Sequence, residues 1–376
     1  MEREHRIAPL ELFFDLVFVF GFTQVTTVFS DDQTWAGIGH GVLILAALWW
    51  AWASYAWLTN TVDAGEDWVL AAVLLAMGAM FVAALAVPEA FGDHGVVFGA
   101  AYLAVAVMHL ALYSLSARGE SELLGAIRRI TPTSLLGAVL ILAAGFVDDP
   151  AKSLIWILAL AIAFLGPLVR GIAGWRLTPA HFVERHGLIV IVAIGESLVA
   201  IGIGARSTDL GAEAITAALL GFVVATSFWL AYFDFFPIRA QQLLSERRGE
   251  ERIALARDAY SYLHFPMIVG IMLFAFAMKV TLAHVDDELD TIPAFALCVG
   301  PTVYLATFSL LRFRIARRVG RGRAIAAVVC AALFPFALAV PALVALTLIA
   351  IVWVLLHVYE LVWWRDARAE TRALRE

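Results

Sequence analysis

Glu11 and Asp15 stand four residues apart in ELFFDLVFVF, a stretch otherwise built from large apolar side chains. That spacing sets both carboxylates on one face of a helix, and Phe18, Phe22 and Thr26 continue the face. Glu196 lies about twelve residues into another apolar run, roughly 18 Å along a helix at 1.5 Å per residue. Ala193, Gly195, Ser197, Ala200 and Gly204 flank it. Small residues let helices approach closely, so Glu196 is expected to face protein and not lipid. Histidines add to the set. His186 follows Glu184, while His109 with Tyr113 and Tyr260 with His264 are further i,i+4 pairs. Buried carboxylates and imidazoles together suit proton exchange or cation binding during transport.

Plainer readings stand beside these. Glu11, Glu184 and Glu360 are close enough to helix ends to reach an interface, and Arg185 is able to pair with a neighbouring acid. His109 and His357 fit simple hydrogen bonds between helices, and Trp49, Trp50, Trp52 and Trp57 fit packing and an aromatic belt. Asp15 and Glu196 have no such outlet. In HFVERH the spacing of His181, Glu184 and His186 does not bring all three to one helical face, which argues against a metal site. No nucleophile elbow, H-E-x-x-H, P-loop or Gly-rich nucleotide motif occurs, so neither a cofactor nor enzymatic chemistry has specific support.

The elements that must hold these residues are membrane spans. Of 376 residues 62% are hydrophobic and 15% charged, with mean hydropathy +0.87. A soluble domain is nearer half apolar and a quarter charged. Apolar runs long enough to cross a bilayer recur along the chain. The expected fold is therefore all-α and polytopic. It has about twelve spans, near 10–30, 36–59, 68–87, 96–117, 129–147, 151–170, 181–204, 212–237, 259–283, 292–311, 324–340 and 342–364. Residues 1–364 form one transmembrane domain, and 365–376 a short tail. Cys298 and Cys330 read as small buried hydrophobes.

Loop charge tests the count. With the N-terminus cytoplasmic, 23 of the 26 basic residues fall on one side, leaving Lys152, Arg206 and Lys279 at the other. Such segregation places both termini in the cytoplasm. The basic run 312–323 is accounted for by this topology and is no nucleic-acid site. A weak repeat divides the chain at 1–175 and 176–364: Trp52–Tyr55 (WASY) echoes Trp229–Tyr232 (WLAY), and an acid opens spans 1 and 7. Parallel six-helix repeats of this kind occur in transporters.

PLELFFDLVFVFGFTQ, LWWAWASYAWLTNTVD, HFVERHGLIVIVAIGESLVAIG and DAYSYLHFPMIVGIM resemble the motifs of the bacterial low-temperature-requirement A proteins along essentially the whole chain. The resemblance implies a multi-pass protein of the bacterial cytoplasmic membrane, named for a cold-growth phenotype. More distantly, ELFFDLVFVFGFT is similar to the first-helix motif of the lysosomal-type potassium channels, with Phe14 in place of a serine.

The leading expectation is a transporter or channel. Asp15 and Glu196 bind a proton, a cation or a small solute, and Glu11, Glu184, His186 and His264 line a cytoplasm-facing vestibule. Tyr260 and His109 accompany them. An intramembrane enzyme acting on a lipid or prenyl-type substrate, and a structural or regulatory component, remain open. The partners expected are membrane lipids and a small solute or cation, and self-association into a homo-oligomer is left open.

Overall fold

The computed structural model describes residues 9–62, 67–207, 210–317 and 320–363, and within them the chain is helical. The helices are α1 (Pro9–Asp31), α2 (Trp35–Thr61), α3 (Asp67–Ala86), α4 (Gly95–Ser116), α5 (Ser121–Ala144), α6 (Ala151–Val169), α7 (Pro179–Gly204) and α8 (Ala212–Phe233). They continue as α9 (Phe236–Glu246), α10 (Gly249–Ala256), α11 (His264–Ala283), α12 (Thr291–Ala316), α13 (Arg321–Ala332), α14 (Phe334–Ala337) and α15 (Ala342–Trp363). Eleven helices among the described residues are long and apolar enough to cross a membrane. With no water to satisfy backbone groups, a lipid-facing segment is driven to this form.

The span expected at 324–340 is the exception. It folds as α13 and the four-residue α14, joined at Leu333. Pro335 is the reason: it has no N–H to give back to the preceding turn, and its ring disfavours helical geometry just before it. The end expected at Pro341 is seen, since α15 opens at Ala342. There the N–H groups of Ala342 and Leu343 donate to Asp287 O (2.8 Å) and Val285 O (3.0 Å).

Two compact units divide the chain. The first is Met1–Val28, Ala36–Leu188 and Leu244–Arg257; the second is Phe29–Trp35, Ile189–Leu243 and Asp258–Glu376. In the first, α3, α4, α5 and α6 pack each on the next. A Cβ at Gly99 would lie 2.4 Å from Leu142 Cα, so α4 and α5 touch backbone to backbone. In the second, α11 lies along α12 with Gly270 against Gly300. A Cβ on either would stand 2.6–2.7 Å from the other's carbonyl oxygen.

One irregular turn matters for the site residues of the second unit. Residues Arg257–Tyr262 form a π-helix before α11. Pro266 cannot return a hydrogen bond to Tyr262, and the His264 imidazole instead donates from Nδ1 to Ala259 O at 2.8 Å.

Candidate functional site

α1 and α7 both open on a proline, which suits the first turn of a helix because its missing N–H would be unpaired there anyway. Two residues after Pro9 stands Glu11, and two after Pro179 stands His181; six residues after each stand Asp15 and Arg185. Within the first unit these positions meet one to one. His181 Nε2 lies 2.9 Å from Glu11 Oε2, and Arg185 Nη1 donates to Asp15 Oδ2 at 2.8 Å. Pairing in register means that the two helices start side by side and run the same way. The i,i+4 spacing on each puts acid and base on facing stripes.

α2 closes this cluster. The Trp52 indole Nε1 donates to Asp15 Oδ1 at 2.8 Å, and its ring carries the Arg185 guanidinium at 5.7 Å. Asn60 bridges to the loop before α7: the Thr178 N–H donates to Asn60 Oδ1 (2.7 Å), and Asn60 Nδ2 donates to Thr178 O (3.0 Å). The same Nδ2 is 3.2 Å from His181 Nδ1. Arg185 Nη1 also donates to the Glu11 carbonyl at 2.9 Å, and Arg185 Nε is 3.7 Å from Glu11 Oε1. Arg185 is 0% exposed and both acids 3%, so the charges are removed from water together. Its Nη2 donor has no hydrogen-bond partner among the described residues.

His186 lies beside this group. Its Nδ1 donates to Phe182 O at 2.8 Å, and its ring stands edge-on to Trp52, 4.9 Å between centroids. Glu184 is exposed, on the side of α7 away from Arg185. Among the described residues no group of three or more His, Cys, Asp or Glu side chains is placed to hold a metal ion.

His109 occupies another part of the first unit. Its Nε2 donates to Ser54 O at 3.1 Å, and Tyr55 and Tyr113 pack against its ring. It lines a cavity of about 30 Å³ between α2, α4, α5 and α6, with Trp50, Ser54, Tyr102 and Ser134, enough for about two waters. At the start of α2, His40 Nε2 lies 3.1 Å from Ser153 Oγ and 3.6 Å from Asp149 Oδ2. Polar groups thus recur along α2 at both ends and in the middle.

The second unit holds Glu196, Tyr260 and His264. Because His264 gives its Nδ1 hydrogen to Ala259, its Nε2 accepts from the Tyr232 hydroxyl at 2.9 Å in the neutral ring, and Tyr260 stacks on it at 4.7 Å. Glu196 is buried on α7 beside the buried Ser197. Arginine ion pairs in this unit include Arg314 with Asp258 at 2.9 Å and Arg323 with Glu360 at 2.7 Å, the Arg323 guanidinium lying over Phe308.

Residues 6–358 match the family described as bacterial low temperature requirement A protein (LtrA). The chain belongs to the LtrA family. It is also similar to an uncharacterized protein of Rhizobium meliloti (strain 1021), 30% identical over 322 residues, covering 82% of this chain and 77% of that protein. No solved structure matches. Family membership together with the apolar helices makes this LtrA protein an integral, multi-pass membrane protein. Four residues of the cluster in this LtrA chain were not among those expected to form the site: His181, Arg185, Trp52 and Asn60. The available signal was the shared offset from Pro9 and Pro179.

Proposed function

We propose that the protein is a membrane transport protein for protons or small cations, and that Glu11, Asp15, His181 and Arg185 form its charge-exchanging element. The observation that supports this is the in-register pairing of two acids on α1 with two bases on α7, all buried in apolar spans. A buried ion pair is rarely the cheapest way to hold helices together, since well-packed apolar residues serve as well or better. Ionisable groups inside spans instead mark ion pathways and proton relays. Arg185 adds to this, because a buried guanidinium whose Nε and Nη2 have no hydrogen-bond partner among the described residues fits a group that changes partners.

The arginine-rich loops support placing the cluster at the cytoplasmic end of its spans, in a bacterial cytoplasmic membrane. Equal offsets from Pro9 and Pro179 support a six-plus-six repeat in which α7 is the counterpart of α1. A static clamp is the second reading, favoured by the fact that Asp15 is met at both oxygens.

Proton and potassium flux in proteoliposomes separates the two, comparing wild type with Asp15→Asn and Glu196→Gln. Flux that Asp15→Asn abolishes, in protein that still purifies folded, is the expected result. No flux of either ion under an imposed gradient and potential would reject the transport reading and leave the clamp.

A further inference from the structure

The two ring nitrogens of His109 differ in what they meet. Nε2 lies 3.1 Å from the Ser54 carbonyl, which only accepts, so Nε2 carries a hydrogen. Among the described residues no acid pairs with this ring. Its neighbours are the Tyr55 and Tyr113 rings, at 5.3 and 5.7 Å between centroids. With His109 only 7% exposed, a second proton would be a buried charge with nothing to balance it, and burial penalises that heavily. His109 is therefore the neutral imidazole, and its Nδ1 is an acceptor. That nitrogen has no hydrogen-bond partner among the described residues.

His109 lines the cavity of about 30 Å³ between α2, α4, α5 and α6, and Nδ1 is the polar atom it can offer there. Two hydroxyls on the wall are in the same position. Tyr102, 6% exposed, and Ser134 both lack a hydrogen-bond partner among the described residues. Two other wall hydroxyls have already committed their hydrogens, Ser54 Oγ to Trp50 O at 2.7 Å and Tyr55 Oη to Val105 O at 3.3 Å. Both keep lone pairs to offer. Acceptors are thus plentiful in the cavity and hydrogens scarce.

This balance selects the guest. No Asp, Glu, Lys or Arg stands among the described residues that line the cavity, so an ion inside would go uncompensated. An apolar guest would leave His109 Nδ1 and the Tyr102 hydroxyl unsatisfied. The volume admits about two waters or a solute of that size. We propose that the cavity is a binding site for a small uncharged molecule that donates a hydrogen bond, water or a neutral solute of like size. His109 Nδ1 is its anchor, and the Tyr102 and Ser134 hydroxyls are its further contacts. The site shares no residue with the paired acids and bases of α1 and α7, and it does not depend on the transport reading.

The test uses the purified full-length protein in proteoliposomes, with nitrogen-15 in its histidines. Solid-state NMR, with His109→Gln for assignment, should show Nε2 protonated and Nδ1 unprotonated but hydrogen-bonded. Magnetisation should pass from water protons to Nδ1 if water is the guest. A hydrogen-bonded Nδ1 without that transfer marks a bound solute, which mass spectrometry of the denatured protein would then identify. Ser134→Val sets methyl groups where the hydroxyl stood, so Nδ1 should move to the position of a free nitrogen and any transfer from water should be lost. This variant keeps His109 and carries the test if His109→Gln does not fold. A protonated Nδ1, or a free one in the wild type, would overturn the proposal. So would a signal unmoved by Ser134→Val, or one that shifts when ammonium chloride replaces sodium chloride, since the guest would then be a cation.

Discussion

Arg185 Nη1 donates to the Glu11 backbone carbonyl and to Asp15 Oδ2, and Arg185 Nε stands 3.7 Å from Glu11 Oε1, so its removal takes the guanidinium from both carboxylates. Breaking a buried pair by deleting one partner costs about 3–5 kcal/mol. Arg185→Met should therefore lower the thermal midpoint in detergent more than Asp15→Leu with Arg185→Met together, because the double change leaves only Glu11 with its imidazole partner. Equal losses in the two would show that the ion pair carries no coupling. The acids were legible in the sequence because a charge inside an apolar run has no neutral explanation. Their partners were not. Arg185 sits where an arginine near a helix end satisfies the positive-inside rule, and Trp52 where a tryptophan satisfies an aromatic belt. Glu184 is exposed next to the buried Arg185 on α7.

Most spans were readable to within a few residues from apolar run length, but α5 opens at Ser121, ahead of the apolar run expected from 129, and the short, more polar α9 and α10 left no such run to read. The break at Pro335 was in the sequence too, but mean hydropathy passes through a proline without registering it. Close helix contacts leave even less trace. Gly300→Ala would set a Cβ 2.7 Å from the Gly270 carbonyl and 2.9 Å from the Phe274 nitrogen, both backbone atoms that have no rotamer to change. Overpacking of this kind costs about 1–3 kcal/mol, and a lowered thermal midpoint with reduced yield of folded protein is expected. Gly195→Ala is the contrast. Nothing lies within 4 Å of the added methyl, so stability should change by about 0.5 kcal/mol or less. If the two variants behave alike, α11 and α12 do not meet at these glycines.

For the molecule as a whole, charge segregation among the loops makes a prediction about sidedness. With Cys298 and Cys330, both buried, replaced by alanine, single cysteines at Arg118 and at His94 should react with a membrane-impermeant thiol reagent from opposite faces in intact and inverted vesicles. Labelling of both from one face would overturn the topology. The two compact units are built from interleaved segments and so left no boundary to read in the sequence. The tryptophans of WASY and WLAY stand in different settings: Trp52 is buried against Asp15, whereas Trp229 is 45% exposed. Tyr55 and Tyr232 are both buried, each against a histidine, His109 and His264.

The basic partners His181 and Arg185 lie 170 residues after Glu11 and Asp15 in the chain. At ribosomal speed that separation is an interval of roughly 10–30 s. Throughout it α1 waits at or in the bilayer with Glu11 and Asp15 still lacking His181 and Arg185, and any slowing of elongation lengthens that exposure before α7 arrives to receive them.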